Sequence, residues 1–341
     1  MIATPESPSP THSSTPRCAC PACLGTLEDR DCSVCGRTYA GVAGMADLRL
    51  ASDRYLPIEA ERAKADRLAE IARSTDLEGV ARAYYAMTPD VDPPRCERYL
   101  AHILGAGARG EALADAVGRV DGPVLEVGCG TGGFLAAMAA RPGCPPLHGV
   151  DLASRWLVVA RRRLDDRDVS ATLTAASADR LPWADDTFAL VVADSLIEHL
   201  DDPRAALGEW LRVLRPGGRL IVWSPNRFAP IVDPHVRLWG LGYLPRSWAD
   251  RYVAIRRGGA WVPRTLSAFA AAKMAREAGF RSVVARPPTI SDRWAATRSS
   301  WERMAIAVAN RLGTSRPGRA AMLAIGPIWT IEAIAPERSC E

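Results

Sequence analysis

Two observations in the sequence predict an α/β protein built on a parallel sheet. Short apolar runs alternate with helical stretches over residues 120–226, and the first of these runs ends in a cluster of glycines. That run, Val124–Val127, is typical of a buried parallel strand, and a helix is expected from about Phe134 to Ala140. A strand, a glycine turn and a helix in this order bring bare backbone close to a ligand at the carboxyl edge of a sheet.

The glycine turn alone does not identify the ligand. Gly128, Gly130 and Gly132 supply turn conformations and remove side chains that would block a ligand, and Glu126 adds a carboxylate at the strand's end. The turn also satisfies the G-x-G-x-x-G spacing of dinucleotide-binding folds, with Asp151 at a plausible distance for a ribose contact. A nicotinamide-binding domain is therefore the alternative at this point.

The segments that follow favour a different ligand. Further strands are predicted at Leu147–Asp151, Ala171–Asp179, Phe188–Asp194, Arg219–Trp223, Phe280–Ala285 and Ile328–Ile334. Helices are predicted at Pro203–Leu214 and Leu266–Ala278, and residues 294–323 are mostly helical with a break near 313–318. The runs E-V-G-C-G-T-G, G-V-D, A-D-x-L-P-W, D-S-L-I-E-H-L and L-R-P-G-G-R-L occur in this order.

Together these runs resemble the class I S-adenosylmethionine-dependent methyltransferases over roughly residues 120–226. The resemblance implies a Rossmann-like sheet of seven strands whose last strand is antiparallel. It also implies S-adenosylmethionine as cofactor, with Glu126 and the glycine turn at its methionine end. Asp151 and Leu152 would lie at the ribose and Ala178 and Asp179 at the adenine. Asp194 would position cofactor or substrate.

The segment after the fourth strand carries the candidate catalytic residues. His199 is the best candidate for a general base because its unperturbed pKa is near ~6.5, and Glu198 is the second candidate. The pair could instead orient the cofactor. Relatives that methylate catechols or RNA ends bind a divalent metal here, which would use Glu198, His199 and His235. Those relatives usually have a further Glu three residues before the pair, where this chain has Ser195.

The N-terminal segment predicts a structural zinc site. Cys20-x-x-Cys23 and Cys32-x-x-Cys35 have the spacing of a zinc ribbon, and four thiolates complete a tetrahedral Zn²⁺ site. A thiol-redox role fits two pairs less well, and Cys18 is surplus. Residues 1–17 are expected to form a disordered tail and residues 18–50 the ribbon. Ribosomal-RNA guanine methyltransferases carry a similar module, so an RNA methyltransferase is an alternative.

The rest of the chain is predicted to form two further parts. Residues 51–118 are expected to form a helical arm or lid that contains Tyr84 and Tyr85, and residues 119–341 are expected to form the methyltransferase domain. Its insertion at 227–262 is rich in aromatic residues and arginine, as expected of an acceptor-binding cap. The candidate acceptor contacts are Asn226, His235, Trp239, Tyr84 and Tyr85. Alternatives for the insertion are RNA base stacking, a membrane-surface patch at 238–244, and a packed subdomain with tryptophans in its core.

Composition sets the broader limits. The net charge is +4, and Lys64 and Lys273 are the only lysines, so no basic patch of the kind that binds nucleic acid stands out. No run of about 20 apolar residues predicts a membrane span, and the N-terminus does not resemble a secretory signal. We expect a cytoplasmic enzyme that methylates a hydroxyl of a small-molecule, natural-product, glycan or lipid-linked acceptor. A non-catalytic adaptor is a further alternative, and oligomeric state is left open.

Overall fold

The computed structural model describes residues 16–52, 56–88, 91–233, 235–259 and 263–337. The predicted disordered tail falls outside the described residues except for Pro16 and Arg17. Trp261, one of the aromatic residues of the predicted cap, also lies outside them. Within the described residues, no helix combines the length and the apolarity that crossing a bilayer requires.

The central sheet confirms the predicted fold class. Seven strands lie within the predicted methyltransferase domain: β5 (Val124–Val127), β6 (Leu147–Asp151), β7 (Thr172–Ala175), β8 (Phe188–Asp194), β9 (Leu214–Pro225), β10 (Arg281–Arg286) and β11 (Ile328–Ile334). Their order is β10-β11-β9-β8-β5-β6-β7. β11 pairs antiparallel with both β9 and β10, and the other neighbouring pairs among these seven strands are parallel. The reversed last strand therefore lies where the sequence predicts it.

The N-terminal module adds two strands to this sheet, so the sheet has nine strands rather than seven. The module consists of β1 (Leu27–Glu28), β2 (Asp31–Cys32), β3 (Ala40–Val42) and β4 (Met45–Asp47). β1 and β2 form a separate hairpin, whereas β4 pairs parallel with β7 and β3 pairs with β4. Because an exposed edge strand presents unpaired backbone groups, β4 completes the hydrogen bonding of β7.

Helices cover both faces of the sheet. The arm contains α1 (Ile58–Ala72), α2 (Leu77–Ala86) and α3 (Pro93–Val117), and the sheet is flanked by α4 (Gly133–Ala139), α5 (Ser154–Asp165), α6 (Pro203–Val213) and α8 (Ala268–Glu277). The insertions contain α7 (Arg246–Arg257), α9 (Asp292–Ala296), α10 (Ser300–Leu312) and α11 (Arg316–Ile325).

Two predicted strands have wrong bounds, and α3 packs closely on α4. The strand predicted at Arg219–Trp223 is longer in the structure, where β9 spans Leu214–Pro225. A Cβ on Gly110 would lie 2.2 Å from the carbonyl oxygen of Gly133, so the first turn of α4 packs directly on α3. The third predicted strand ends at Ala175 rather than Asp179, and residues 177–180 form a turn instead.

The topology places both insertions at the same edge of the sheet. β9 and β10 run in the same direction, since β11 is antiparallel to each of them. The segment that follows β9 and the segment that connects β10 to β11 therefore both start at the carboxyl edge. This is also the edge at which β5, β6 and β8 end, which is where parallel α/β sheets bind their ligands.

Candidate cofactor and acceptor site

The glycine turn after β5 has the conformation that its sequence predicts. Gly128, Gly130 and Gly132 have φ angles of +69°, +48° and +72°, which side-chain-bearing residues rarely adopt. A Cβ on Gly128 would lie 2.7 Å from Leu196, whereas a Cβ on Gly130 would meet nothing within 4 Å. The turn is therefore packed on one side and open at Gly130, as a ligand-binding turn requires.

Asp151 anchors the glycine turn at Gly130, where the turn is open. Its carboxylate accepts hydrogen bonds from the backbone N–H of Gly130 at 2.9 Å and of Ala153 at 2.8 Å. Burial raises the pKa of Asp151, and these two hydrogen bonds oppose the rise. The carbonyl of the next residue, Leu152, accepts a hydrogen bond from the Arg49 guanidinium at 3.1 Å. The N-terminal module thus reaches the loop that the sequence assigns to the ribose.

Glu126 is a buried carboxylate with one oxygen that has no protein partner. Its Oε2 makes no hydrogen bond, and burial raises its pKa well above the usual range, with the charges of Asp194 and Asp151 adding to the effect. An unsatisfied buried carboxylate oxygen is costly to leave unpaired. The residue therefore fits a ligand that brings a positive or hydrogen-donating group, such as the amino group of S-adenosylmethionine.

The residues predicted at the adenine lie in the turn after β7. The carbonyl of Ala178 accepts a hydrogen bond from the indole N–H of Trp210 at 3.0 Å, which anchors the turn to α6. Asp179 is exposed, and its Oδ1 pairs with the Ser177 hydroxyl at 2.5 Å. The Asp179 carboxylate is thus accessible at the turn's surface.

Asp194 pairs with an arginine that the sequence did not single out. Arg109 of α3 donates to both oxygens of Asp194 at 2.7 and 2.5 Å and to the Ser195 hydroxyl at 3.1 Å. The guanidinium lies 5.1 Å from the ring centroid of Trp294 and 5.8 Å from that of Trp223. Ser195 has a φ of +54°, and such strain is common at functional sites. These groups form one wall of the site at the end of β8.

Glu198, His199 and His235 converge at this edge. One ligand atom of each lies within 4.8 Å of the others, and the two imidazole rings are 4.9 Å apart at 80°. Glu198 is fully buried, accepts a hydrogen bond from the Ser224 hydroxyl at 3.0 Å, and has an unpartnered Oε1. Burial raises its pKa to about 7. His235 lies 3.6 Å from Asp233 through Nδ1.

The other predicted acceptor contacts are more dispersed. Tyr84 is buried against Trp156 of α5, with ring centroids 4.4 Å apart, so it fastens the arm to the domain. Tyr85 stacks on Tyr99, in a surface cleft between α2 and α3. The buried Asn226 side chain donates to the carbonyls of residues 323 and 324 and so anchors the end of α11.

The interpretation that the tryptophans of the cap insertion form its core is wrong for Trp239 and Trp248. Trp239 and Trp248 are exposed rather than packed, and the insertion has a small aliphatic core instead, formed by Leu238, Leu241, Ala249 and Val253. Trp239 approaches Tyr243 with ring centroids 6.3 Å apart. Its aromatic side chains are therefore available to a partner or ligand.

The four predicted zinc ligands come together in the N-terminal module. The sulfurs of Cys20 and Cys35 are 3.7 Å apart, those of Cys23 and Cys32 are 3.5 Å apart, and all four lie within 4.8 Å of one another. The hydroxyl of Tyr39 lies 3.0 Å from the Cys20 sulfur. This cluster fits one tetrahedral ion, since thiolates bound to a common Zn²⁺ lie about 3.7 Å apart.

Comparison with known proteins identifies the family. Residues 125–222 match the family model described as a methyltransferase domain. The demethylmenaquinone methyltransferase of Deinococcus radiodurans is 30% identical over 192 residues, which cover 54% of this chain and 78% of that protein. The chain belongs to the class I S-adenosylmethionine-dependent methyltransferases.

Two further relatives of this methyltransferase differ in the atom their names assign to methylation. The ubiquinone/menaquinone biosynthesis C-methyltransferase UbiE of Bordetella avium is 30% identical over 157 residues, covering 45% of this chain and 60% of that protein. The ubiquinone biosynthesis O-methyltransferase of Alkalilimnicola ehrlichii is 32% identical over 139 residues, covering 40% of this chain and 50% of that protein. This chain thus spans between 50% and 78% of the length of these three relatives.

Proposed function

We propose that this methyltransferase methylates a hydroxyl of a small, apolar acceptor, and that His199 takes up the hydroxyl proton. The observation that carries the proposal is that the rings of His199 and His235 lie 4.9 Å apart, on the segments that follow β8 and β9 at the carboxyl edge. The names of two relatives place those proteins in ubiquinone or menaquinone biosynthesis, which supports an apolar ring as acceptor class. The exposed aromatic side chains of the cap fit the same class.

The cofactor site would work as follows. S-adenosylmethionine, when bound, supplies a methyl group activated by its sulfonium. Glu126 would accept a hydrogen bond from the amino group of the cofactor, and Gly130 would leave room for the cofactor beside the backbone. Asp151 holds the turn in place, and its remaining lone pairs would accept hydrogen bonds from the ribose. Arg109 neutralises Asp194, so the wall at the end of β8 does not repel the carboxylate end of the cofactor. Positioning of this kind accounts for most of the rate gain in such a displacement.

A metal-assisted mechanism is the second candidate, and one observation favours it. Glu198, His199 and His235 have ligand atoms within 4.8 Å of one another, and Glu198 Oε1 is buried without a partner. Two imidazoles and a carboxylate suit Mn²⁺, Fe²⁺ or Zn²⁺. The same three residues would then lower the pKa of the acceptor hydroxyl through the ion, and His199 would be a ligand rather than the base.

We further propose that the cysteine cluster holds a structural Zn²⁺ and that the module acts within this chain rather than on RNA. The support is the pairing of β4 with β7 and the contact of Arg49 with Leu152, which give the module a role in the domain itself. Four thiolates leave no open coordination position, so the ion contributes to folding and not to methyl transfer.

The first experiment identifies the acceptor. The purified protein is incubated with methyl-labelled S-adenosylmethionine and a cell extract that has been separated into RNA, lipid and small-molecule fractions. Label in the lipid or small-molecule fraction supports the proposal, and mass spectrometry of the product then locates the methyl group on oxygen or carbon. Label in RNA alone contradicts it and makes the RNA methyltransferase the better hypothesis.

The second experiment separates the base from the metal. If His199 is the base, His199→Ala lowers kcat by about 10²–10⁴-fold at unchanged cofactor affinity, while Glu198→Gln and His235→Ala have smaller effects. If the three residues hold a metal, all three variants lose activity together, and they lose stoichiometric Mn²⁺ binding measured by calorimetry. Full activity of His199→Ala would exclude both roles for this residue.

A further inference from the structure

We propose that the two insertions at the carboxyl edge form a docking face for an anionic lipid membrane. The docking face is defined as the outward side of α10 together with the exposed apolar side chains of the cap insertion. It lies at the edge of the sheet where the candidate site opens. The inference is argued from the exposure and helical spacing of apolar side chains and from the charge of the two segments. It rests on the proposed function only in one respect, namely that membrane docking would deliver an apolar acceptor to the site.

The apolar stripe of α10 faces away from the protein. Trp301, Met304, Val308 and Leu312 follow one another at spacings of three and four residues and so occupy one face of the helix. Trp301 is 69%, Met304 68% and Val308 53% exposed, and none of the helix's described residues is fully buried. An amphipathic helix normally turns such a stripe toward the core. Here the stripe needs a partner outside the described residues.

The opposite side of α10 is the side that holds it to the protein. The Asn310 side chain donates to the carbonyl of Ile290 at 2.8 Å and accepts from its N–H at 3.1 Å. A capping box at Ser299 and Glu302 begins the helix. The helix is therefore fixed in an orientation that presents its apolar stripe outward.

The cap insertion, which also starts at the carboxyl edge, exposes similar side chains. Trp248 and Ile255 of α7 are 69% and 72% exposed, and Trp239 is exposed as well. The aliphatic core of the insertion lies beneath them. Groups of large exposed apolar side chains on a protein surface commonly mark contact with a partner or a membrane.

The charge of the chain is concentrated in the same two segments. Residues 227–264 and 287–327 contain thirteen arginines and four acidic residues, whereas the rest of the chain contains thirty basic and thirty-five acidic residues. The modest net charge of the whole chain thus hides two strongly basic segments in an otherwise acidic protein. Segments that combine arginine with exposed tryptophan and aliphatic side chains have the composition of helices that lie in the interface of an anionic bilayer.

Two other occupants fit less well. RNA would use the arginines and tryptophans through phosphate contacts and stacking, but Met304, Val308 and Leu312 have no aromatic plane to offer a base. A second copy of the chain would bring the same basic segments together, which like-charge repulsion opposes. A membrane surface uses both the aliphatic stripe and the positive charge.

The experiment measures co-sedimentation of the full chain with vesicles. One set consists of phosphatidylcholine alone and the other contains phosphatidylglycerol as well. The variant is Val308→Glu, and the matched control is Val34→Glu, the same substitution at a residue that is 70% exposed. Val34 belongs to the N-terminal module, which joins the sheet at the β7 edge, opposite to β10.

The proposal predicts binding to the anionic vesicles, weak binding to the neutral ones, and release by salt. Val308→Glu should weaken binding about tenfold or more, and Val34→Glu should bind as the unchanged protein does. Absence of binding to anionic vesicles, or equal loss in both variants, would overturn the proposal. So would a sedimentation result in which Val308→Glu converts a dimer into a monomer, or RNA binding that only this variant loses. None of these readouts requires methyl transfer, so the docking face and the proposed reaction can fail separately.

Discussion

A buried ion pair between Asp47 and Arg49 connects the N-terminal module to the loop of Asp151 and Leu152, and replacing Asp47 by alanine should destabilise the protein. The Asp47 carboxylate accepts from Arg49 at 2.7 Å through Nε and at 2.7 Å through Nη2, and from Arg62 at 2.6 Å. The side chains of Asp47 and Arg49 are both 0% exposed, whereas Arg62 is 31% exposed and can turn to water. The substitution therefore leaves one guanidinium buried without its counter-charge.

Such a loss costs about 3–5 kcal/mol of unfolding free energy. Asp47→Ala combined with Arg49→Met removes both charges and should recover most of that loss, because the desolvated guanidinium is gone. The control is Glu70→Ala, which breaks an ion pair with Arg67 in which both partners are more than half exposed. It should cost at most about 1 kcal/mol.

The assay is urea unfolding followed by circular dichroism, with S-adenosylmethionine affinity measured on the same samples by calorimetry. Asp47→Ala should also weaken cofactor binding, because Arg49 then no longer holds the Leu152 carbonyl in place. A loss of stability from Asp47→Ala as small as that from Glu70→Ala would refute the argument. So would a double variant that is no more stable than the single one.

Four further outcomes are expected. The hydrogen bonds from two arginines outweigh burial and lower the pKa of Asp47. The contribution of Asp47 to stability is therefore present above its unfolded pKa of about 3.9 and is lost as the pH falls further. Unfolding free energy measured against pH should show this loss in the unchanged protein and not in Asp47→Ala. Arg109→Lys cannot pair with Asp194 through two parallel bonds, so kcat/KM should fall about tenfold or more at unchanged thermal stability. Glu126→Gln should raise the cofactor Kd about tenfold in calorimetry. Zinc removal by a strong chelator, or Cys23→Ser, should speed amide exchange in β3 and β4 far more than in β8.

The central sheet could be predicted because its signals are local. Each buried parallel strand is a short apolar run with a turn after it, and the predicted strand at Ile328–Ile334 has the bounds of β11. Ala171–Asp179 was predicted too long because the residues after Ala175 are apolar or small and carry no break signal of their own. The turn there is fixed by tertiary contacts, such as the hydrogen bond from Trp210 to Ala178.

The walls of the site could not be predicted, because they form between distant segments. Arg109 and Asp194 are 85 residues apart, and no periodicity in α3 marks one arginine among several as the partner of a strand end. The pair formed by Arg49 and Leu152 spans 103 residues. The sequence made His235 a candidate only because histidine is a common metal ligand and acceptor contact. The structure adds that His235 lies close to Glu198 and His199.

The N-terminal module and the methyltransferase domain share one hydrogen-bonded sheet, so the proposed zinc site would affect both. A ribbon tethered by a linker could unfold without consequence for the domain. Here β4 covers the edge of β7, and the chain continues directly from β4 into Arg49, which donates to the loop of Asp151 and Leu152. Metal binding that stabilises the module therefore also stabilises the strand edge and the loop beside it. The four cysteines are distant in sequence from Asp151 and Leu152, yet β4 and Arg49 connect their module to that loop.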